Sequence, residues 1–239
     1  MAGRFITFEG GEGVGKSTQI KRLAETLRLI SIDVLVTREP GGTPGAEAVR
    51  HVLLSGAAKS LGGEAEAMLF AAARIDHIDQ VIKPALNAGR WVLCDRFSDS
   101  TRVYKGASGV NPDLLTTLEH VATAGLTPDL TIILDVPAEI GLKRALKRAK
   151  TNNEADLDRF EQDGLEIHSK RRNAFLAIAE AEPERCVVIN ANRTQKDTAN
   201  AIWREIESRF NLVDEDLPRQ VEVGFLADDD TVELLRDSR

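Results

Sequence analysis

A glycine-rich segment near the start of the chain has the residue types and the spacing that suit phosphate binding. It matches the pattern G-x-x-x-x-G-K-[ST] from Gly10 to Ser17. Glycines let backbone N–H groups surround phosphate oxygens without a side-chain clash. Lys16 can then contact the β- and γ-phosphates of a nucleoside triphosphate, and the Ser17 hydroxyl can contact Mg²⁺. The residues predicted to bind this nucleotide are Gly10, Gly11, Glu12, Gly13, Val14, Gly15, Lys16, Ser17 and Thr18.

The alternative, a chance glycine-rich turn, fits the flanking sequence poorly. The apolar run Phe5–Phe8 before the loop predicts a buried strand. After the loop, apolar residues recur at Ile20, Leu23 and Leu27, which is the spacing of an amphipathic helix. The N-terminus of that helix adds its positive dipole end to the phosphate site.

The pair Asp95-Arg96 supplies a second group with charges suited to phosphate chemistry. Asp95 ends an apolar strand, where an acidic residue in a nucleotide-binding fold helps to hold Mg²⁺. Arg96 follows directly, and its guanidinium suits bidentate phosphate recognition. Asp135 also ends an apolar strand and is the second candidate for the acidic position. We predict that Ser17 and Asp95 bind the metal; the alternative is a surface ion pair at the strand end.

The elements that must position these residues alternate between strands and helices. The predicted strands are Phe5–Phe8, Asp33–Thr37, Trp91–Cys94, Leu130–Leu134 and Cys186–Ile189. The predicted helices follow Ser17 and then cover Glu64 to about Ile82, stopped by Pro84, and Pro112–Ala124, Glu139–Lys150, Gly164–Ala181 and Thr198–Phe210. Short apolar strands separated by helices predict an α/β protein with a mostly parallel sheet covered on both faces. With the glycine loop, this is the three-layer fold of P-loop NTPases.

In such a sheet, ligands gather at the carboxyl ends of the strands. Gly10, Arg38, Asp95 and Asp135 each follow a predicted strand. The sequence therefore predicts one nucleotide site at this edge of the sheet.

Composition narrows the class of protein. The net charge of −7 argues against a general nucleic-acid-binding protein. Acids outnumber bases nine to three from residue 211 to residue 239, so most of the excess charge lies in this tail. No apolar run approaches the roughly 18 residues of a membrane helix, so we expect no membrane partner. Cys94 and Cys186 form no C-x-x-C pair and are interpreted as reduced thiols of a cytoplasmic protein.

With these motifs in order, the chain resembles bacterial thymidylate kinases over residues 4–210. The segments that carry the resemblance are Glu12 within the loop, Thr37–Thr43, Leu69–Arg74, Asp95–Arg96 and Ser100–Tyr104. The resemblance implies transfer of the γ-phosphoryl group of ATP, with Mg²⁺, to dTMP, which is a step of dTTP synthesis. It also implies a homodimer, for which the predicted helix from Glu64 to Ile82 could supply one face.

The resemblance also assigns roles to individual residues. Glu12 matches the acid that contacts the 3′-hydroxyl of the deoxyribose, and Tyr104 matches the ring that crowds the sugar 2′ position. Phe70 matches the aromatic residue that stacks on thymine, although from the bare sequence a core position is the commoner one. Its spacing from Arg74 puts both on one helix face. The dTMP-binding residues implied are Glu12, Arg38, Phe70, Arg74, Arg96, Ser100, Thr101 and Tyr104. The Glu39-Pro40 bond resembles the cis-proline turn of the family.

A basic segment resembles the lid of the family, at about residues 141–163. The glycine loop carries no arginine between Gly11 and Val14, and in the family such loops pair with a catalytic arginine in the lid. We therefore predict that Arg148 stabilises the transition state, with Arg144 and Arg159 nearby, and that Arg144 contacts ATP. Which arginine is catalytic stays open, since the apparent insertion 151–155 blurs the alignment. The full catalytic set predicted is Lys16, Asp95, Arg96 and Arg148.

Three features depart from the family pattern. Phe97 stands where tyrosine or histidine is usual, and Lys105 stands where bacterial members often have glutamine. Asn190–Asn192 follows the last strand, where an acid is common. We predict a kinase domain over residues 1–210 and an acidic tail over residues 211–239, which we expect to be partly disordered.

Two other functions compete with this interpretation. A P-loop kinase with another small acceptor would keep the glycine loop but not the combination of Phe70, Arg74 and Tyr104. A nucleotide switch of the GTPase kind would need N-K-x-D and D-x-x-G motifs, and the sequence contains neither.

Overall fold

A computed structural model describes residues 2–151, 160 and 163–212 of the chain. Five parallel strands form one sheet in the order β2-β3-β1-β4-β5. The strands are β1 (Phe5–Glu9), β2 (Val34–Arg38), β3 (Trp91–Asp95), β4 (Leu130–Asp135) and β5 (Cys186–Asn190). The expected five-strand α/β architecture is therefore confirmed, and β1 lies at its centre.

Helices cover both faces of the sheet. They are α1 (Lys16–Leu29), α2 (Pro44–Leu54), α3 (Gly63–His77), α4 (Lys83–Asn87), α5 (Ser98–Gly106), α6 (Pro112–Thr123), α7 (Ala138–Thr151), α8 (Leu165–Ala181) and α9 (Gln195–Phe210). A short 3₁₀ turn at Lys59–Leu61 precedes α3. Among the described residues, no helix combines the length and the apolarity needed to cross a membrane.

Alternation along the strands divides the core between the two faces. In β1, Ile6 and Phe8 pack with α1 and α9 in the larger cluster, which includes Trp203. Phe5 points to the opposite face and packs with Val92 and the helical residues that follow α3. Because the central strands of a parallel sheet are covered on both sides, most of their positions are apolar rather than only alternate ones. This explains the continuous apolar runs in the sequence.

The prediction that Pro84 ends a helix was wrong. The chain passes from α3 through one π-helical turn, Ile78–Ile82, directly into α4. Pro84 then lies in the first turn of α4, where a helix needs no N–H donor from that position. The π-helical turn shifts the hydrogen-bond register, so the proline continues the helical path instead of ending it.

Parts of the predicted lid and tail lie outside the described residues. These are 152–159, 161–162 and 213–239, which include Arg159 and nearly all of the acidic tail. The domain boundaries at residue 210 and the extent of the lid stay predictions. The basic first half of the lid is described as part of α7.

Candidate active site

The phosphate-binding loop connects β1 to α1 in the way that the sequence predicts. Gly13 and Gly15 have φ angles of 67° and 97°, in the left-handed region that glycine adopts without steric cost. The Lys16 side chain folds back over the loop, and its Nζ donates to the Gly10 and Gly11 carbonyl oxygens at 3.1 and 2.9 Å. Burial, followed by the nearby Arg96, lowers the pKa of Lys16. The loop therefore presents a preformed cradle with a cation at its centre.

The loop also packs directly on the helix that starts the lid. A Cβ on Gly13 would lie 2.0 Å from the Gly141 carbonyl oxygen in α7. A Cβ on Gly141 would lie 2.5 Å from the Glu12 carbonyl oxygen. Both distances are shorter than any real contact, so this approach requires glycine on both sides. The position of α7, and of the arginines it carries, is consequently set by the loop.

Ser17 and Asp95 meet at the end of the loop. The Ser17 hydroxyl donates to the Asp95 carboxylate at 2.7 Å, which joins the start of α1 to the end of β3. The rival acid, Asp135, instead accepts two hydrogen bonds from Arg172, at 2.6 and 2.8 Å. Asp95 is therefore the acid beside the phosphate loop. In the part of the chain that is described, no cluster of three or more histidine, cysteine or acidic residues could hold a metal.

Arg96 connects the phosphate loop to the rest of the cleft. It has a φ of 70°, in the left-handed region, and its guanidinium turns back towards the loop. Nη2 donates to Glu12 at 2.7 Å, and Nη1 donates to the Ser100 hydroxyl at 3.1 Å. Burial works against ionisation of Glu12, but Arg96 and then Lys16 outweigh it and lower the pKa of Glu12 to about 2. Glu12 is therefore a carboxylate at neutral pH.

Tyr104 holds Glu12 from the other side. Its hydroxyl donates to Oε1 of Glu12 at 2.5 Å. Its ring lies between two guanidinium groups, with Arg96 at 5.0 Å and Arg171 at 4.4 Å from the ring centroid. Burial raises the pKa of Tyr104 well above its usual value, so the phenol stays protonated. Glu12 is thereby fixed at the junction between the loop and helix α5.

Helix α3 forms the facing wall of the cleft. Arg74 is buried, and its Nε donates to Glu39 at 2.7 Å while its Nη2 donates to the Thr101 hydroxyl at 3.0 Å. Phe70 lies one turn earlier on the same face. The Glu39–Pro40 peptide bond is cis, as the sequence analysis expected. Because its carboxylate pairs with Arg74, Glu39 fixes the guanidinium in the wall.

These groups surround one cavity of about 360 Å³. The predicted residues that line it are Glu12, Gly13, Val14, Gly15, Lys16, Ser17, Thr18, Phe70, Arg74, Asp95, Arg96, Ser100, Thr101, Tyr104 and Arg148. Arg38 lies outside this lining because Glu47 binds its guanidinium at 2.9 Å on the surface. Arg144 also lies outside it and donates to the Ala191 carbonyl oxygen at 3.2 Å.

Sequence reasoning missed several residues that shape the cavity. Glu9 is fully buried, and its carboxylate accepts hydrogen bonds from Phe97 N at 2.7 Å and from the Ser100 hydroxyl at 2.6 Å. Burial, followed by the charge of Asp99, raises the pKa of Glu9 to about 7. The signal in the sequence was an acidic residue, Glu9, at the end of the otherwise apolar strand before the glycine loop.

A second group was missed because helix α2 was not predicted. Arg50 lies on α2, lines the cavity and donates to the Pro40 carbonyl oxygen at 2.8 Å. The signal for α2 was Thr43 followed by proline. The Thr43 hydroxyl caps the helix by accepting a hydrogen bond from Ala46 N, and Pro44 is the first residue of the helix.

The fold and the cavity together define a P-loop kinase. The chain has a phosphate loop with its lysine, an acid beside the loop serine, and an arginine-lined second compartment that opens onto the loop. Such an arrangement brings a triphosphate donor and an anionic acceptor into one cleft.

Comparison with known proteins specifies the family. A family model described as thymidylate kinase matches residues 8–202. A thymidylate kinase from Rhodopseudomonas palustris (strain BisB18) is 57% identical over 210 residues, covering 87% of this chain and 90% of that protein. One from Nitrobacter winogradskyi is 55% identical over 213 residues, covering 89% of this chain and 91% of that protein. The chain belongs to the thymidylate kinase family.

A solved structure agrees with this placement. The crystal structure of thymidylate kinase from Ehrlichia chaffeensis has a TM-score of 0.68 and 33% sequence identity to this chain. The match covers 86% of this chain and 99% of that one. The chain is thus a kinase that uses ATP as the phosphoryl donor, as the family does.

Proposed function

We propose that this chain phosphorylates dTMP to dTDP in the cytoplasm and that the cavity between α3 and α5 is the dTMP site. The observation that carries the proposal is the position of Glu12. This carboxylate belongs to the phosphate loop, yet Arg96 and Tyr104 hold it at the wall of the second compartment. An acid fixed at that junction can accept a hydrogen bond from a sugar hydroxyl of a bound nucleotide.

The rest of the acceptor pocket suits a deoxynucleoside monophosphate. Phe70 on α3 offers an aromatic face for the base, and Thr101 on α5 offers a hydroxyl from the opposite wall. The Tyr104 ring fills the space beside Glu12, so an additional 2′-hydroxyl would have to displace it. Arg74 and Arg96 supply the positive charge for the acceptor phosphate. We assign Arg38 no direct contact, because Glu47 holds it outside the cavity.

The donor phosphates fit the cradle that Lys16 and the start of α1 form. Ser17 and Asp95 offer a hydroxyl and a carboxylate oxygen within 2.7 Å of each other, a donor set that suits Mg²⁺. Mg²⁺ usually keeps most of its shell for water and phosphate oxygens, so two protein oxygens suffice. When bound there, Mg²⁺ would neutralise charge on the donor phosphates.

The reaction is proposed to be a direct in-line transfer. A phosphate oxygen of dTMP is already nucleophilic, so no side chain has to remove a proton. The side chains align the two phosphates and neutralise charge that develops on the transferred group. Arg96 reaches both the loop and the acceptor compartment, and Arg148 lines the cavity from α7. Arg148 therefore stays our choice for the catalytic lid arginine.

The experiment that tests this function is a coupled assay of ADP release with ATP, Mg²⁺ and a panel of dTMP, dUMP, dCMP and UMP. We expect strong turnover with dTMP, weaker turnover with dUMP and little with UMP. Turnover with another acceptor would keep the donor site but refute the assignment of the pocket. Equal rates with dUMP and UMP would show that Tyr104 does not select deoxyribose.

We also propose that two copies of the chain associate through α3. Met68 and Ile75 lie seven residues apart on one face of α3 and are 51% and 40% exposed. Leu61, just before this helix, is 65% exposed. An exposed apolar patch of sufficient size often marks a protein–protein interface. Sizing chromatography should give the mass of a dimer for the wild type and a smaller mass for Met68→Glu; a monomeric wild type would refute this proposal.

A further inference from the structure

A buried ion pair lies behind the acceptor pocket. Lys105 on α5 donates from Nζ to Oε2 of Glu66 on α3 at 2.5 Å. The exposed fractions of the two side chains are 1% and 6%. Burying two charges is costly, and an apolar pair of similar size often gives equal or greater stability. We therefore expect the pair to fix the geometry of the two helices rather than to add stability.

Among the described residues, this pair and the Arg74–Thr101 hydrogen bond both connect the two walls of the pocket. Glu66, Phe70 and Arg74 follow one another at intervals of four residues along one face of α3. Thr101 and Lys105 have the same spacing on α5. Arg74 binds Thr101 at one end, and Glu66 binds Lys105 at the other. Phe70 lies between these two links, so the separation of the helices at both ends sets where its ring stands.

Lys105 also contacts the ring itself. Its Nζ lies 5.4 Å from the centroid of Phe70, within the range of a cation–π interaction. Phe70 lines the cavity, whereas Lys105 is absent from its lining and almost fully buried. The ammonium group therefore contacts the ring from the protein side and leaves the cavity side for a ligand.

We propose that Lys105, through Glu66 and the ring of Phe70, is a positioning residue that sets the width of the slot for the acceptor base. Lys105 does not touch the acceptor. It holds α3 at a fixed distance from α5 and supports the ring from behind. This inference rests on the proposed dTMP site, since a slot width matters only if the base stacks on Phe70.

The test compares steady-state constants of Lys105→Met with those of the wild type, using dTMP, dUMP and ATP as varied substrates. We expect the KM for dTMP to rise about tenfold, with kcat and the KM for ATP within about twofold. The preference for dTMP over dUMP should shrink, because a looser slot discriminates a methyl group less well. Lys105→Met removes the ammonium group that faces the buried Glu66 carboxylate, so this variant could fail to fold. Lys105→Gln keeps a donor and is the second variant; it should raise the KM for dTMP about threefold.

Two controls separate positioning from stability. Ile202→Val removes a methyl group from the core between α1 and α9, away from this pocket, and should lower the melting temperature. It should leave both KM values unchanged. The double variant Glu66→Lys/Lys105→Glu rebuilds a link of the same length and should restore the KM for dTMP to within about threefold of the wild type.

The experiments distinguish failure of the positioning role of Lys105 from failure of the proposed dTMP site. Phe70→Ala is the reference, and an unchanged KM for dTMP in that variant would refute the acceptor site itself. If Phe70→Ala raises this KM while the folded Lys105 variants do not, the positioning role is wrong and the site stands. Parallel changes in kcat and in both KM values, matching the loss of melting temperature, would likewise overturn the proposal in favour of a purely structural pair.

Discussion

The contact between the phosphate loop and α7 predicts an unusual response to a conservative substitution. Gly141→Ala places a methyl group inside a helix, which alone would stabilise the helix by about 0.5–1 kcal/mol. Here, however, the new Cβ would lie 2.5 Å from the Glu12 carbonyl oxygen. An ordinary contact between such atoms is about 3.5 Å. The helix or the loop must therefore move by about 1 Å.

The displacement should reach the catalytic groups. Arg148 lies seven residues further along α7, which is about 10 Å along the helix axis. A shift of about 1 Å in a charged group that faces the transition state can lower the rate by up to about 100-fold. We expect kcat to fall roughly 10- to 100-fold. The KM for dTMP should change less than kcat, because the acceptor walls are α3 and α5 and because Arg96 and Tyr104 hold the Glu12 carboxylate in place.

The assay is coupled ADP release with saturating ATP and varied dTMP, together with a thermal melt of each variant. The matched control is Gly164→Ala, at the start of α8, where an added Cβ meets nothing within 4 Å and φ is −68°. It should keep wild-type kcat. A Gly141→Ala enzyme with wild-type kcat and a raised melting temperature would refute the argument from the close approach.

Three further predictions concern charged residues of the cleft. Lys16→Ala and Arg96→Ala should each lower kcat by on the order of 100-fold or more in the same assay; near-normal turnover in either contradicts its assignment. Arg148→Ala should lower kcat far more than Arg144→Ala, which lies outside the cavity lining, and the reverse order would move the catalytic role to Arg144. Because the pKa of Glu9 is about 7 when folded but near 4.5 when unfolded, its ionisation costs stability as pH rises through this window. The melting temperature of Glu9→Gln relative to wild type should thus increase by a few degrees from about pH 5 to about pH 8, and a constant difference would contradict the raised pKa.

The parts of the fold that the sequence predicts are those with a strong local signal. All five strands appeared as apolar runs. The three central strands, β3, β1 and β4, are buried on both faces, whereas the edge strands β2 and β5 are partly exposed. The phosphate loop was predictable from residue types alone. Helix α2 was not predicted; only two of its residues, Ala46 and Leu53, are buried, so it contributes little to the core.

The sequence predicts which residues of the candidate site lie close together. It does not predict which of them form ion pairs or hydrogen bonds with one another. Sequence order places Arg38, Arg74 and Arg96 near the carboxyl ends of strands or in a facing helix. It does not show that Arg38 forms an ion pair with Glu47 at the surface, whereas Arg74 forms one with Glu39 in the wall of the cavity. These pairings depend on the course of the chain between β2 and α3, which the local signal for the start of α2 does not fix.

Two departures from the family pattern lie close to the cavity. Phe97 packs edge to face with Phe5 at 4.9 Å between centroids, and its ring also lines the cavity, with the Arg74 guanidinium 5.1 Å from its centroid. Lys105 required a buried acid, and Glu66 on another helix supplies it. A buried lysine can be recognised in sequence only when its partner is known, and that partner lies 39 residues away along the chain.

Arg96 shows how one side chain can reach both the donor site and the acceptor site. Directly after β3, a non-glycine residue with a φ of 70° costs about 1–2 kcal/mol relative to ordinary backbone. The conformation turns the guanidinium back across the sheet edge, towards Glu12 of the loop and Ser100 of α5. Both contacts, and the Tyr104 ring, hold the side chain there and offset the backbone cost. A relaxed strand end would direct the side chain elsewhere, so the local strain is what brings a single cation into reach of both the donor loop and the acceptor pocket.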